Sequence, residues 1–322
     1  MPPTALPSVD LRFRIRVDVE PELEFLGPTA RGLLGHGLRQ VACSHGSKAD
    51  ARCPAGAACA YARLFEGATP RSALAPGPDG LTPPAPMVLE FDAPFGGPST
   101  AEDGTIGFCV RVFGSAIDDA HHVIEAVTAR QRFGFGAASR QFELVSVCRE
   151  SFVQPEQPTR FGAGPLVFDF LTPLSLRHGQ RADRSVDVHR MVDAARRRDW
   201  LMRVLYGHDD AAAELGPPSA SCDAGFSMVA QTTRRWTMSR RSGRQSRSVP
   251  MEGLLGRAVL SGDWQLEAWL HSLERLHLGK YAIFGFGRVR VQKPRDNMFA
   301  WEPPCFGGPN GPSTRGFPDS AS

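Results

Sequence analysis

The chain has 322 residues, 42% of them hydrophobic and 22% charged, which is enough apolar material for two ordinary domain cores and argues against a disordered polymer. A formal net charge of +3 does not mark a globally basic nucleic-acid binder, so any surface for a polyanion must come from local clustering. Seven cysteines do not form a disulfide scaffold in a chain of this size and suit a reducing cytoplasm. The apolar runs fall far short of the ~20 residues of a membrane span. Met1-Pro2-Pro3-Thr4 lacks the basic and apolar regions of a signal peptide, so a cytoplasmic protein without a membrane partner is expected.

Leu11, Phe13, Ile15, Val17 and Val19 alternate with Arg12, Arg14, Arg16 and Asp18, the pattern of a half-buried strand with a basic outer face. A helix over 28–42 follows, with Pro28 in its first turn and Leu34, Leu38 and Val41 as its apolar stripe. Residues 43–86 read as an irregular insertion rich in Cys, Pro and Gly. Strands over 87–91 and 106–113, a helix marked by Ile117, Ala120, Ile124 and Val127, and a strand through Phe142, Leu144 and Val147 complete the order βαββαβ.

The second half repeats that order. A strand over 166–171 leads to a helix over 188–206. Strands near 228–238 and 254–260 precede a helix capped by Asp263 and carrying Leu266, Trp269, Leu270 and Leu273. A last strand runs through Val289 and Val291. Phe133-Gly134-Phe135-Gly136 and Phe284-Gly285-Phe286-Gly287 occupy the same place in the two halves, as an internal repeat would. The expected fold is α+β, with tandem ferredoxin-like (RRM-like) domains over 1–150 and 161–293. The linker lies near 149–164, and a disordered tail covers 294–322.

Four groups of residues could carry chemistry. Arg234, Arg235, Arg240, Arg241, Arg244 and Arg247 cluster around one turn with Trp236 among them and no acidic residue interleaved. A solvated hairpin is the plain reading of such a run. Mutual repulsion without a balancing acid favours instead a phosphate backbone gripped by guanidiniums. The segment 276–287 is the second group, where glycines let backbone amides approach a ligand, Lys280 adds charge, and a tight helix-to-strand turn is the alternative.

The third group is the face of the first helix opposite its stripe, with Gly32, Gly35, His36, Arg39 and Gln40. Mid-helix glycines cost ~1 kcal/mol each relative to alanine, so Gly32, Gly35 and Gly37 suggest close approach of another backbone. Arg39 beside His36 favours the neutral imidazole that can serve as a base. The fourth group, Cys43, Cys53 and Cys59 with His45, has ligand types suited to zinc but no compact zinc spacing, and no metal or cofactor is expected.

Three stretches resemble the CRISPR repeat-processing endoribonucleases of the RAMP superfamily, the Cas-six family. The first is Arg31-Gly32-Leu33-Leu34-Gly35-His36-Gly37-Leu38-Arg39 followed by Cys53 and Cys59-Ala60-Tyr61-Ala62-Arg63-Leu64-Phe65. The second is Leu171-Thr172-Pro173-Leu174, and the third runs from Arg234 through Ser239, Arg244-Gln245 and Gly253-Leu254-Leu255-Gly256 to the terminal glycine loop. That loop departs from the family pattern of two Gly-x-Gly elements. Gly285-Phe286-Gly287 and Lys280 are present, while Gly279 alone represents the first element and His277 stands at its outer glycine.

The resemblance implies a metal-independent cut within the repeats of precursor CRISPR RNA. A ribose 2′-hydroxyl attacks the adjacent phosphate and leaves a 2′,3′-cyclic phosphate and a 5′-hydroxyl. It implies a catalytic histidine at His36, with His45 in reserve and Lys48 as a cation. RNA contacts are implied from Arg39, the arginine cluster, His277, Lys280, Gly285 and Gly287. The partner is repeat RNA, with other Cas proteins where an effector complex forms. A non-catalytic RAMP subunit that holds guide RNA is the alternative.

Overall fold

The computed structural model describes residues 6–17, 25–43, 55–71, 83–95, 105–134, 141–152, 161–178, 181–182, 184–218, 225–242, 247–265, 267 and 269–294. Strand β1 (Ser8–Val17) keeps the expected alternation, with Leu11, Phe13 and Ile15 buried and Arg12, Arg14 and Arg16 exposed. Helix α1 (Gly27–Ala42) starts with proline in its first turn and buries Ala30, Leu33, Leu34 and Leu38. Strands β2 (Met87–Phe91) and β3 (Thr105–Phe113), helix α3 (Ala120–Arg130) and strand β4 (Phe142–Phe152) finish the first half. Its sheet runs β2-β3-β1-β4 and is antiparallel throughout. Leu34, Leu38, Val123 and Val127 pack on Leu11, Phe13 and Ile15 in one core.

The second half comprises β5 (Ala163–Leu174), helix α4 (Val188–Tyr206), strands β8 (Ser227–Ser242) and β9 (Arg247–Asp263), helix α6 (Leu270–Leu276) and strand β10 (Val289–Gln292). Its sheet order, β10-β5-β9-β8, has the same connectivity as the first. Met191, Val192, Leu270 and Leu273 cover Phe168, Leu254 and Leu260. The α+β reading with two ferredoxin-like units therefore holds.

Several details differ from expectation. The insertion contains a helix, α2 (Ala60–Glu66), because Tyr61, Leu64 and Phe65 reach the first core and Gly67 ends the helix in a left-handed conformation. Strands β8 and β9 run well beyond the apolar stretches that suggested them, because cross-strand pairing continues to Ser242 and Arg247 through polar residues. Asp263 does not cap α6. Its carboxylate accepts from the Gln265 amide, and the helix starts later, after Trp269. A two-residue ladder, β6 (Arg177–His178) with β7 (Arg181–Ala182), and the short helix α5 (Asp210–Leu215) had no clear sequence signal. Residues from 295 onward lie outside the described part, and so does the expected tail beyond its first residue. No described helix is long and apolar enough to cross a membrane.

The two halves meet through charge as well as apolar contact. Leu6, Val88 and Phe113 pack with Trp200, Leu205, Tyr206 and Leu276. Beside them the buried Asp10 accepts two bonds from Arg111, at 2.7 and 2.9 Å, and one from Arg275 at 2.7 Å. Arg111 also reaches Glu90 at 2.5 Å and the Arg275 carbonyl at 3.1 Å. Burial raises the Asp10 pKa, but Arg111 and Arg275 more than offset it and hold the carboxyl below its usual range. Burial likewise opposes ionisation of Glu90, and His277, Arg111 and Arg288 pull it well below that range.

Removing one partner of a buried ion pair strands the other charge, so Asp10→Ala should cost about 3–5 kcal/mol in urea unfolding. Arg16→Ala, which deletes an exposed pair with Glu143, should change stability by less than ~1 kcal/mol. The buried Asp10 and the largely buried Glu90 are both depressed relative to ordinary values of 3.8 and 4.5. Their contribution is therefore present above those values and lost as pH falls below them. Equal stability of Asp10→Ala and the parent at neutral pH would contradict this account.

Candidate functional site

The outward face of α1 gathers a histidine and cations from two helices, α1 and α3, braced by a third, α2. His36 is exposed. Arg39 donates from Nη2 to Tyr61 Oη at 2.9 Å, and Tyr61 Oη donates to Glu66 Oε1 at 2.9 Å, so α2 holds the guanidinium in place. Arg130, the last residue of α3, faces the same surface, although nothing in its sequence context marked it. The reason is the approach of α1 to α3: a Cβ on Gly37 would lie 2.4 Å from the Ala126 carbonyl oxygen, and Arg130 sits one turn beyond Ala126. Partial burial lowers the His36 pKa, and the charges of Arg130 and Arg39 lower it further. At neutral pH the imidazole is therefore unprotonated and can accept a proton.

The three helix glycines separate by cause. Gly37 admits the α3 backbone, and a Cβ on Gly35 would strike the Phe65 ring at 2.5 Å. Gly32 meets nothing within 4 Å, so it leaves open surface beside His36.

A second cationic group lies toward the start of α1. The Arg31 guanidinium is 4.2 Å from the centre of the Phe65 ring and 4.6 Å from that of Phe284. Arg240 on β8 is 4.8 Å from the same Phe284 ring. Trp236 packs against Phe25, Phe95 and Phe286 rather than standing free among arginines. Arg234 is exposed, and Arg235 is ion-paired with Glu252. That pair corrects the expectation that no acid balances the cluster, since the β8–β9 pairing brings Glu252, which lies just after the arginine run, back beside Arg235. Arg241 and Arg247 lie on described strand backbone, but their side chains are outside the described part, and Arg244 lies wholly outside it.

The glycine loop is a structural joint. His277 is completely buried, with Nδ1 3.0 Å from the Phe286 carbonyl and Nε2 3.3 Å from Glu90, so its ring cannot touch RNA. Burial lowers its pKa against the pull of Glu90. Gly285 and Gly287 are also buried, and their amides donate to the carbonyls of Ala282 and Pro173. The amides of Leu278, Lys280, Phe284 and Phe286 likewise bond to protein carbonyls. The expectation of a phosphate cradle at Gly285 and Gly287 is thus corrected, because their donors are used in joining the loop to the fold. Lys280 is exposed on its rim. The two copies of the repeated tetrapeptide sit in different environments: Phe284 and Phe286 are buried, Phe133 is exposed, and residues 135–136 lie outside the described part.

His45, Lys48 and Cys53 fall outside the described residues. Neither Cys43 nor Cys59 forms a disulfide among the described residues, and the Cys59 thiol donates to the Ala42 carbonyl at 3.6 Å. Among the described residues, His121, His122 and Glu125 on the first turns of α3 place one potential metal-ligand atom each within 4.8 Å of the others.

The family model described as AF_1859_N, N-terminal domain, matches residues 6–159. No curated protein sequence matches the chain. Among solved structures, a Cas6 product complex aligns with a TM-score of 0.53 at 16% identity, covering 90% of this chain and 100% of that one. A Thermus thermophilus Cas6 aligns with a TM-score of 0.50 at 13% identity, covering 89% of this chain and 99% of that one. The chain has a fold similar to that of these Cas6 structures.

The glycine geometry separates structural from open positions. Gly287 has φ +71°, and a Cβ there would lie 1.8 Å from the Leu278 carbonyl oxygen, so Gly287→Ala should lower the melting temperature sharply. Gly32→Ala should stabilise the fold by up to ~1 kcal/mol, because its Cβ enters open space in a helix interior. Thermal unfolding of both variants checks this, and a Gly287→Ala protein that melts with the parent would overturn it.

Proposed function

We propose that the protein is a metal-independent endoribonuclease that binds CRISPR repeat RNA and cuts precursor CRISPR RNA within the repeats. Support for this reading comes from one arrangement above all: an exposed histidine, kept neutral by partial burial and by two arginines, on the first helix of a Cas6-like fold. One of the aligned Cas6 structures holds a reaction product, which shows that this architecture accommodates such a ligand in that protein.

The chemistry follows from what the site can supply. Neutral His36 takes the proton of a ribose 2′-hydroxyl as its oxygen attacks the adjacent phosphorus. Arg39 and Arg130 stabilise the charge that develops on the phosphorane oxygens. The bond from phosphorus to the 5′-oxygen breaks, and that oxygen takes a proton from solvent, which the exposure of His36 admits. The products are a 2′,3′-cyclic phosphate and a 5′-hydroxyl. Arg31, Arg234 and Arg240 extend the positive surface toward the start of α1, where the RNA backbone would continue. The exposed surface beside Gly32 gives the polymer room between the two cationic groups.

Incubation of the purified protein with a labelled repeat RNA in EDTA tests the reading directly. Cleavage should persist in the parent, and His36→Ala should slow it ~10²–10⁴-fold with little change in RNA affinity. The acid limb of the rate–pH profile should lie below the ordinary histidine value, because the active form is neutral. Arg130→Ala should move that limb upward by removing a nearby positive charge. Repeat binding without cleavage under any condition would favour the non-catalytic RAMP subunit. In a salt titration, Arg234→Ala with Arg240→Ala should flatten the slope of log affinity against log salt by ~0.7 to 0.9 for each phosphate no longer neutralised, and an unchanged slope would place the RNA elsewhere.

A further inference from the structure

The turn that ends α3 holds an aromatic ring out in solvent. Phe133 is 52% exposed, and no other Phe, Tyr or Trp among the described residues reaches half exposure. The placement is built rather than frayed. The amides of Phe133 and Gly134 both donate to the Arg130 carbonyl at 3.0 Å, closing the turn at the helix end. The closure sets the ring against the Arg130 side chain, whose guanidinium carbon lies 4.8 Å from the ring centre. The same Arg130 ends the helix that crosses α1 at Gly37, next to His36. An open aromatic ring thus adjoins Arg130, whose charge also acts on His36.

Aromatic rings beside cations suit one class of ligand particularly well, a nucleotide, whose base stacks while its phosphate meets the charge. An apolar peptide would use the ring but gain nothing from the arginines, and a free anion would use the arginines but not the ring. A base inside a duplex is already stacked on both sides, so the ring requires an unpaired base. We propose that Phe133 is a stacking platform for an unpaired nucleobase of the repeat RNA, beside the phosphate held by Arg39 and Arg130. The consequence is a substrate with at least one unpaired nucleotide next to the cut. This inference rests on the RNA-cleaving reading of the His36 site.

The test is a cycle of protein and RNA changes, using a repeat RNA from the CRISPR arrays of the source genome. Abasic nucleotides replace, one at a time, the residues flanking the cut, and affinity is measured for the parent, Phe133→Ala, Phe133→Leu and Phe133→Trp. Phe133→Ala should bind the intact RNA about 5- to 150-fold more weakly, the loss of one stacked base. One abasic position should weaken the parent by a similar factor and have no further effect in Phe133→Ala. Phe133→Trp should restore both affinity and sensitivity to that position, whereas Phe133→Leu, apolar but without a π face, should not. Unaltered melting of the variants confirms that the exposed ring carries no folding role.

If the parent cleaves the RNA, His36→Ala does not, and Phe133→Ala matches the parent at every abasic position, the platform is wrong and the cleavage site stands. A rescue by Phe133→Leu equal to that by Phe133→Trp also overturns stacking. A parent that binds no repeat RNA overturns the platform together with the reading beneath it.

Discussion

Asp10 is a buried carboxylate on the first strand, and guanidiniums from both halves of the chain converge on it. Arg111 comes from the same sheet, while Arg275 comes from the last helix of the second half. Burying these charges costs several kcal/mol per ion unless geometry and hydrogen bonding are nearly complete, so the halves fit together in essentially one way. Arg275 also bonds Ser8, its carbonyl accepts from Arg111, and His277 two residues later bridges Glu90 and the Phe286 carbonyl. The network therefore fixes α6 and the glycine loop against the first sheet.

Everything proposed for the site depends on that placement. With the loop fixed, the Phe284 carbonyl sits where a side chain on Gly27 would otherwise be, 2.0 Å from its ideal Cβ position. The start of α1 is thereby seated, and Arg31 and Arg240 come to the same ring from opposite halves of the chain. The other end of α1 is seated by α3 at Gly37 and by α2 at Gly35. A helix held at these contacts still leaves one strip free, the strip carrying Gly32 and His36. The histidine is thus exposed by subtraction, because the remaining faces of its helix are committed to packing. The same contact with α3 delivers Arg130, whose charge adds to partial burial in lowering the His36 pKa and whose side chain packs against Phe133.

The sequence alone determined the two βαββαβ units, because the periods of apolar residues are local and each strand or helix states its own. Helix α4 begins and ends at 188 and 206 as the pattern indicates, since Asp187 caps it and Gly207 follows it. It also determined that His36 and Arg39 share a helix face, which follows from helical geometry without any knowledge of neighbours. The tertiary structure decided what local pattern cannot carry. A glycine loop looks the same in sequence whether its amides meet phosphate or protein. Only the positions of Pro173, Ser175 and Tyr281 show that they meet protein. His277 resembles a ligand-binding residue until Glu90, 187 positions away, is brought to its ring. Glu252 balances Arg235 through a strand pairing, and Arg130 reaches His36 through a helix crossing. Each joins residues on different elements, and which residues meet depends on the packing of elements and not on the pattern within any one of them.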